Sequence, residues 1–178
     1  MKTTKIIRHI LGYIIGISLF GLFIPFGLIG LAKSPYCFLN FSIIANTSFR
    51  IILGLIFLVP GLFFMIWSNL ALFKTGKGGP ADGFGLAVSP RTEKLVISGP
   101  YVYTRNPMVF GAFMSYFSLG IFCDSPSVLV LLLLCIPLVM FYLKLTEEKR
   151  LFKDFGDEFI QYKKQVSMIF PLNKIKRK

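Results

Sequence analysis

Histidine is almost absent from this chain: His9, in the basic N-terminal flank, is the single one. That excludes a histidine metal cluster and leaves any Ser or Cys nucleophile without an imidazole base nearby in sequence. Cysteine is nearly as sparse. Cys37, Cys123 and Cys135 are odd in number and scattered, so they define neither a disulfide framework nor a zinc spacing, and no metal is expected. Charge is short too, at 16% of 178 residues, where a soluble domain carries about 25%. What charge there is leans one way, with twenty Lys and Arg against eight Asp and Glu. The net charge of +12 invites nucleic acid as a partner, but the basic residues flank apolar blocks and no nucleic-acid motif accompanies them. Anionic lipid headgroups are the simpler counter-charge.

Apolar residues make up the balance, 54% of the chain with a mean hydropathy of +0.70. They fall in blocks long enough to cross a bilayer, since about 20 residues at ~1.5 Å each span ~30 Å of hydrocarbon. Four spans follow: about residues 10–31, 49–73, 107–122 and 126–145. Only Cys123-Asp124-Ser125-Pro126 separates the last two, which must therefore form a tight antiparallel hairpin. Pro107 suits the first turn of its helix, while Pro25, Pro60 and Pro137 fall inside spans and predict kinks or irregular turns. The first block could also be a cleaved signal sequence, which would leave three spans, but it exceeds the usual 7–15-residue apolar core. With no low-complexity linker and no internal repeat, residues 1–178 read as a single integral membrane domain of all-α class, completed by an amphipathic interfacial helix near the C-terminus.

Orientation follows from the basic residues of alternate loops. Lys33 and Arg50 stand alone on one side, and the other eighteen lie in the N-terminus, the 74–106 loop and the tail from Lys144 onward. Both termini and the middle loop are expected on the cytoplasmic side.

The middle loop has two halves. Gly76-Lys77-Gly78-Gly79-Pro80-Ala81-Asp82-Gly83-Phe84-Gly85 is glycine-rich but lacks the spacing of a phosphate-cradling loop, and reads as a connector. Glu93 to Pro100 reads as a short extended stretch ending in a turn; it either offers its backbone to a planar ring or merely packs. In the tail, residues 147–166, Leu151, Phe155, Phe159, Tyr162 and Val166 recur at three- and four-residue steps among Lys149, Arg150, Lys153, Lys163 and Lys164. That is the pattern of a helix lying in the interface, divided by Gly156 into two short pieces.

The chemistry-bearing residues sit on either side of the hairpin. Two spans and one tight turn connect Arg105 to Glu147, which places Arg105, Asn106, Glu147 and Glu148 at the same membrane boundary. Ionisable groups there are costly to keep and commonly serve a ligand. An Arg–Glu pair closing a helix bundle would use the same residues. Arg105 suits a bidentate contact with a carboxylate, either a ligand's or that of Glu147. Neighbouring glutamates on a helix point about 100° apart; Glu147, directly after the span, is the better candidate to face inward, and Glu148 can meet the N-terminal dipole of the tail helix.

At these residues the sequence resembles the isoprenylcysteine carboxyl methyltransferase family and the related phospholipid methyltransferases, membrane enzymes that use S-adenosylmethionine. The markers run from about Glu93 to Pro171: Leu95-Val96, Gly99-Pro100-Tyr101, Arg105-Asn106-Pro107, Gly111, Glu147-Glu148 and Phe155-Gly156-Asp157-Glu158-Phe159-Ile160-Gln161-Tyr162-Lys163-Lys164. The resemblance implies a cytoplasmic cofactor site, with a lipophilic substrate arriving from within the bilayer. The residues matching the family's cofactor contacts are Lys94, Leu95, Val96, Tyr101, Asn106, Pro107, Met108, Val109 and Glu147; Arg105, Glu147 and Glu148 match its catalytic set. Two positions depart. Asn106 stands where the family usually has His, and can hydrogen-bond but not titrate near neutrality. Leu143 occupies the place of an arginine that contacts substrate in the animal enzymes, which argues against a prenylcysteine carboxylate. Alternatives are a nicotinamide-dependent lipid or sterol reductase, and a non-enzymatic membrane protein retaining the fold.

Overall fold

The computed structural model describes residues 2–35, 37–39, 41–76, 82, 83, 86, 87 and 92–172. Its frame is helical. The first apolar block forms α1 (Lys2–Gly16) and α2 (Ile24–Lys33), joined without a break by a π-helical stretch, Ile17–Phe23. The widened turn lies just ahead of Pro25, whose missing N–H and ring disfavour an ordinary α-turn there. α3 (Thr47–Ala71) is capped by Asn46, whose side chain accepts from Phe49 N at 2.9 Å, and ends in a second π-helical stretch, Leu72–Gly76. α4 (Pro107–Phe122) and α5 (Pro126–Leu145) make the hairpin, and α6 (Glu147–Gln165) is the tail helix. Apart from helix, the described residues hold only a two-residue antiparallel pairing, Asp82–Gly83 with Leu86–Ala87.

Three helical stretches are long and apolar enough to cross a membrane, Ile10–Lys33, Thr47–Gly76 and Pro126–Leu145, while Pro107–Phe122 is apolar but shorter. Their outward faces are greasy: Phe23, Phe26 and Leu138 are each about 70% exposed, as a lipid-facing surface requires. The chain is an integral membrane protein. Pro60 and Pro137 lie inside α3 and α5 without interrupting either helix.

α3 and α4 make the closest helix pairing. A Cβ on Gly61 would lie 2.9 Å from the Gly111 carbonyl oxygen, and one on Gly111 would lie 2.5 Å from that of Gly61. The backbones touch because neither residue has a side chain, the usual means of close packing where lipid gives helices no hydrophobic reason to associate. Met65 flanks the same contact, and Ser115 bonds back to Gly111 O at 2.9 Å. α2 joins through Leu28, packed with Tyr116, Val128 and Leu132 of the hairpin, and the Tyr116 hydroxyl donates to Phe20 O at 2.7 Å.

At one end of the hairpin Asp124 takes a left-handed conformation, φ +50°, that turns α4 into α5. Its carboxylate accepts from Ser42 Oγ and from the backbone N–H groups of Ile43 and Ile44, each at 3.0 Å, and pairs with Arg50 at 3.5 Å. Ser127 exchanges hydrogen bonds with both backbone groups of Leu39. The loop between α2 and α3 is thereby stapled to the turn. Arg105 and Glu147 lie at the other end.

Candidate functional site

Gly99–Val102 forms a single 3-10 turn whose first residue, Gly99, has φ +62°. Its Cβ position lies 3.3 Å from Trp67 Nε1, so the turn presses against the end of α3. Ahead of it, residues 92–98 form no strand; Glu93 N donates to Gly76 O at 2.9 Å, and a Cβ on Gly76 would come within 3.0 Å of Val96. Beyond it, Thr104, Arg105 and Asn106 lead into α4, with Pro107 at the first helical position as its fixed φ favours.

This corner is held from below by the end of the chain. Arg105 N and Asn106 N donate to Ser167 O and Met168 O, each at 3.0 Å, while Thr104 Oγ1 and Asn106 Nδ2 also reach Met168 O, at 3.1 and 3.0 Å. The Asn106 amide nitrogen is therefore engaged with the chain itself. Ile169 is fully buried beside them. α6 brings this segment into place: Phe159, Tyr162 and Val166 form a buried cluster with Leu151, Phe155 and Leu95, so the whole stripe expected from the sequence faces inward. Gly156, at φ +50° and ψ −124°, breaks α6 where the expected division falls. The Tyr162 hydroxyl then donates to Tyr101 O at 2.7 Å and joins α6 to the 3-10 turn.

The two glutamates meet this corner differently. Glu148 is 6% exposed and takes both cations: the Arg105 guanidinium on one oxygen and the Lys163 ammonium on the other. The pairing that the sequence allowed between Arg105 and Glu147 is thus made by Glu148. Thr146, at φ −108° and ψ −72°, separates α5 from α6, and beyond it the second glutamate rather than the first meets Arg105. Glu147 is half-buried, and burial pushes its carboxyl up to about 7. Its charge, after burial itself, helps raise the Tyr101 phenol well above the ordinary tyrosine range. One further group is unsatisfied: Arg105 Nε is buried without a hydrogen-bond partner.

The other expected site residues divide by what their side chains do. Val96, Tyr101 and Pro107 are buried, and Leu95 packs into the α6 cluster. Met108 and Val109 are half-buried on the first turn of α4, and Lys94 is exposed. Leu143 is 4% exposed, a packed apolar side chain. Lys77 and Arg91, and most of the glycine-rich connector, lie outside the described residues.

The family model described as phospholipid methyltransferase matches residues 49–158. The chain belongs to the phospholipid methyltransferase family. The matched stretch takes in α3, the Arg105–Asn106–Pro107 corner, the hairpin and the first half of α6. No curated protein and no solved structure matches the chain. In this phospholipid methyltransferase homologue, Tyr162, Lys163 and residues 166–169, which close the corner, lie beyond the matched stretch. The pairing of Lys163 with Glu148 and the passage of residues 167 and 168 under the corner were not foreseen. Lys163 looks like one more charge on a solvated face, and an irregular chain end carries no periodic signal.

Proposed function

We propose that this chain is a membrane methyltransferase that binds S-adenosylmethionine where the Arg105–Asn106–Pro107 corner meets Glu147, and methylates an oxygen, nitrogen or sulfur nucleophile on a lipophilic molecule arriving from the bilayer. The observation that carries the reading is the pairing beside Glu147: Glu148 takes both Arg105 and Lys163, and the buried Arg105 Nε stays open. Burial pushes the Glu147 carboxyl up to about 7, while Arg105 and Lys163 pair with Glu148. A desolvated carboxyl left in that condition gains most from a bound cation.

The residues fit the cofactor's charges. Glu147 would hold its ammonium or a ribose hydroxyl, and the unpartnered Arg105 Nε offers a buried donor to its carboxylate. Tyr101 and the backbone of residues 94–96 would hold the adenosine, since the Leu95 and Val96 side chains are packed away. When bound, S-adenosylmethionine supplies a methyl group on a sulfonium that leaves as a neutral thioether, so no acid is required. The chain's own part is alignment, which can supply up to ~7–11 kcal/mol in well-oriented cases, and water exclusion by α6. Glu148 acts through Arg105, fixing the corner. Leu143, a packed apolar side chain, offers no charge to a prenylcysteine carboxylate, which weighs against that acceptor. The excess of basic residues on the corner's side of the spans supports a cytoplasmic site with both termini on that side.

The test is thermal unfolding of detergent-solubilised protein with S-adenosylmethionine, S-adenosylhomocysteine or a nicotinamide dinucleotide. Either S-adenosyl ligand at one hundred times its dissociation constant should stabilise by about 2.7 kcal/mol. A response to the dinucleotide alone would turn the reading to a reductase, and no response to any of them to a protein without catalytic activity. Radiolabelled methyl transfer into a total lipid extract then identifies the acceptor.

A further inference from the structure

One polar side chain near this site has no place in the account above. Asn69 lies near the end of α3, next to the buried Ser68, whose hydroxyl donates to Met65 O at 3.0 Å. Its amide nitrogen donates to Met65 O at 2.9 Å, one turn back along its own helix, but its Oδ1 is buried with no hydrogen-bond partner. Exchanging the two amide atoms would bring oxygen against the Met65 carbonyl and leave a buried N–H unsatisfied, so the assignment stands. A buried acceptor left open is costly, and native proteins rarely keep one without a use.

Its level in the fold follows from its neighbours. Met65 lies against Gly111, and Ala71 and Trp67 lie against Gly99. α3 and α4 run antiparallel, so about one turn beyond Met65 the chain comes level with Pro107 and Met108, between the two contacts. Farther along, at the end of the π-helical stretch Leu72–Gly76, Gly76 is the residue that meets Val96. Asn69 therefore lies level with the segment between Val96 and Met108, with its acceptor open.

We infer that Asn69 is a ligand-binding residue of this site, its Oδ1 accepting an N–H or O–H of the bound cofactor or of the methyl acceptor. The inference rests on the methyltransferase reading and extends the site from the α4–α6 corner onto α3. The complement is apt, because Arg105 Nε leaves one donor open and Asn69 Oδ1 leaves one acceptor. A molecule bearing both a carboxylate and polar hydrogens satisfies the two together.

The experiment compares the full-length protein with Asn69→Leu and Asn69→Asp in three readouts: melting temperature without ligand, affinity for S-adenosylhomocysteine, and KM for a total lipid extract in radiolabelled methyl transfer. Asn69→Leu removes the open acceptor at similar volume, and should melt no lower than the native chain. It should lose tenfold or more in S-adenosylhomocysteine affinity if the donor is on the cofactor. If the donor is on the acceptor molecule, that affinity holds and the KM rises tenfold or more. Asn69→Asp, which keeps an oxygen in place, should retain most of whichever property is lost. Unchanged affinity and KM in Asn69→Leu overturn the inference and leave the methyltransferase reading intact. A fall in the unliganded melting temperature of both variants, or failure of both to fold, also overturns it by assigning Asn69 to the helix interface. A native chain that neither binds S-adenosylhomocysteine nor transfers label overturns the methyltransferase reading, and this inference with it.

Discussion

The two ends of the α4–α5 hairpin each hold a carboxylate, and the two are treated in opposite ways. Asp124 accepts from a hydroxyl and two backbone N–H groups and faces Arg50. The Ser42 hydroxyl above all, with those amides and the arginine, outweighs burial and holds it below its usual value. Glu147 has burial as the cause of its shift and lies near 7. The first carboxylate is finished: every direction around it is answered by the chain. The second is unfinished, with an unsatisfied arginine nitrogen at the same corner. Satisfied polar clusters hold structure, whereas a cluster left open at a cost needs another explanation, and a ligand is the natural one.

Glu148 offers the sharpest way to test the contrast, because it lies at the open end yet is fully engaged. Glu148→Ala strands Arg105, whose side chain is only 9% exposed, and removing one partner of a buried pair costs about 3–5 kcal/mol. Chemical denaturation should show that loss. Lys163 is 44% exposed, so Lys163→Met should cost less than about 1 kcal/mol. Equal effects would mean that the Arg105 side chain reaches water when unpaired.

Next in size is Asp124→Ala. It removes charge-assisted bonds worth about 1.5–3 kcal/mol and places alanine at φ +50°. The melting temperature should fall while affinity for S-adenosylhomocysteine is unchanged. A fall in affinity would show that the two ends are coupled through the hairpin. The native contribution of Asp124 should be present above the ordinary carboxylate range and fade as pH falls below it, the sign expected of a lowered value.

Glu147 should show the reverse sign. Its value is raised, so the unliganded protein should lose stability as pH climbs from the ordinary carboxylate range through about 7. Glu147→Gln should flatten that slope. In the native chain, affinity for S-adenosylhomocysteine should rise with pH up to about 7 as the carboxylate forms, and in Glu147→Gln it should be at least tenfold weaker, about 1.4 kcal/mol. A pH-independent affinity in the native chain would remove Glu147 from the ammonium.

Much of this was legible in the residues. The polar break at Cys123-Asp124-Ser125-Pro126 gave the hairpin, and the helices at 107–122 and 126–145 have the bounds expected. The stripe from Leu151 to Val166 marked α6 as amphipathic, and Gly156 its break, but that the stripe packs on Leu95 of the protein was not legible. Each signal is periodic or local, and such signals survive in a single chain. The facing of the two glutamates was not legible. A helix rotates about 100° per residue, so the direction of each carboxyl depends on how the backbone turns at Thr146.

The amino-acid sequence by itself determined that this chain lives in a membrane, that its last two spans fold back on each other, and that Arg105 and the glutamate pair come to one end. Hydrophobic length and a short turn leave no other arrangement. Only the tertiary structure decided which partner each charge takes. Glu148 closes on Arg105 and Lys163, the 167–168 backbone holds Asn106, and Asn69 and Arg105 Nε are left open. Those outcomes depend on contacts between residues tens of positions apart, where side-chain direction is set by packing and no local pattern records it.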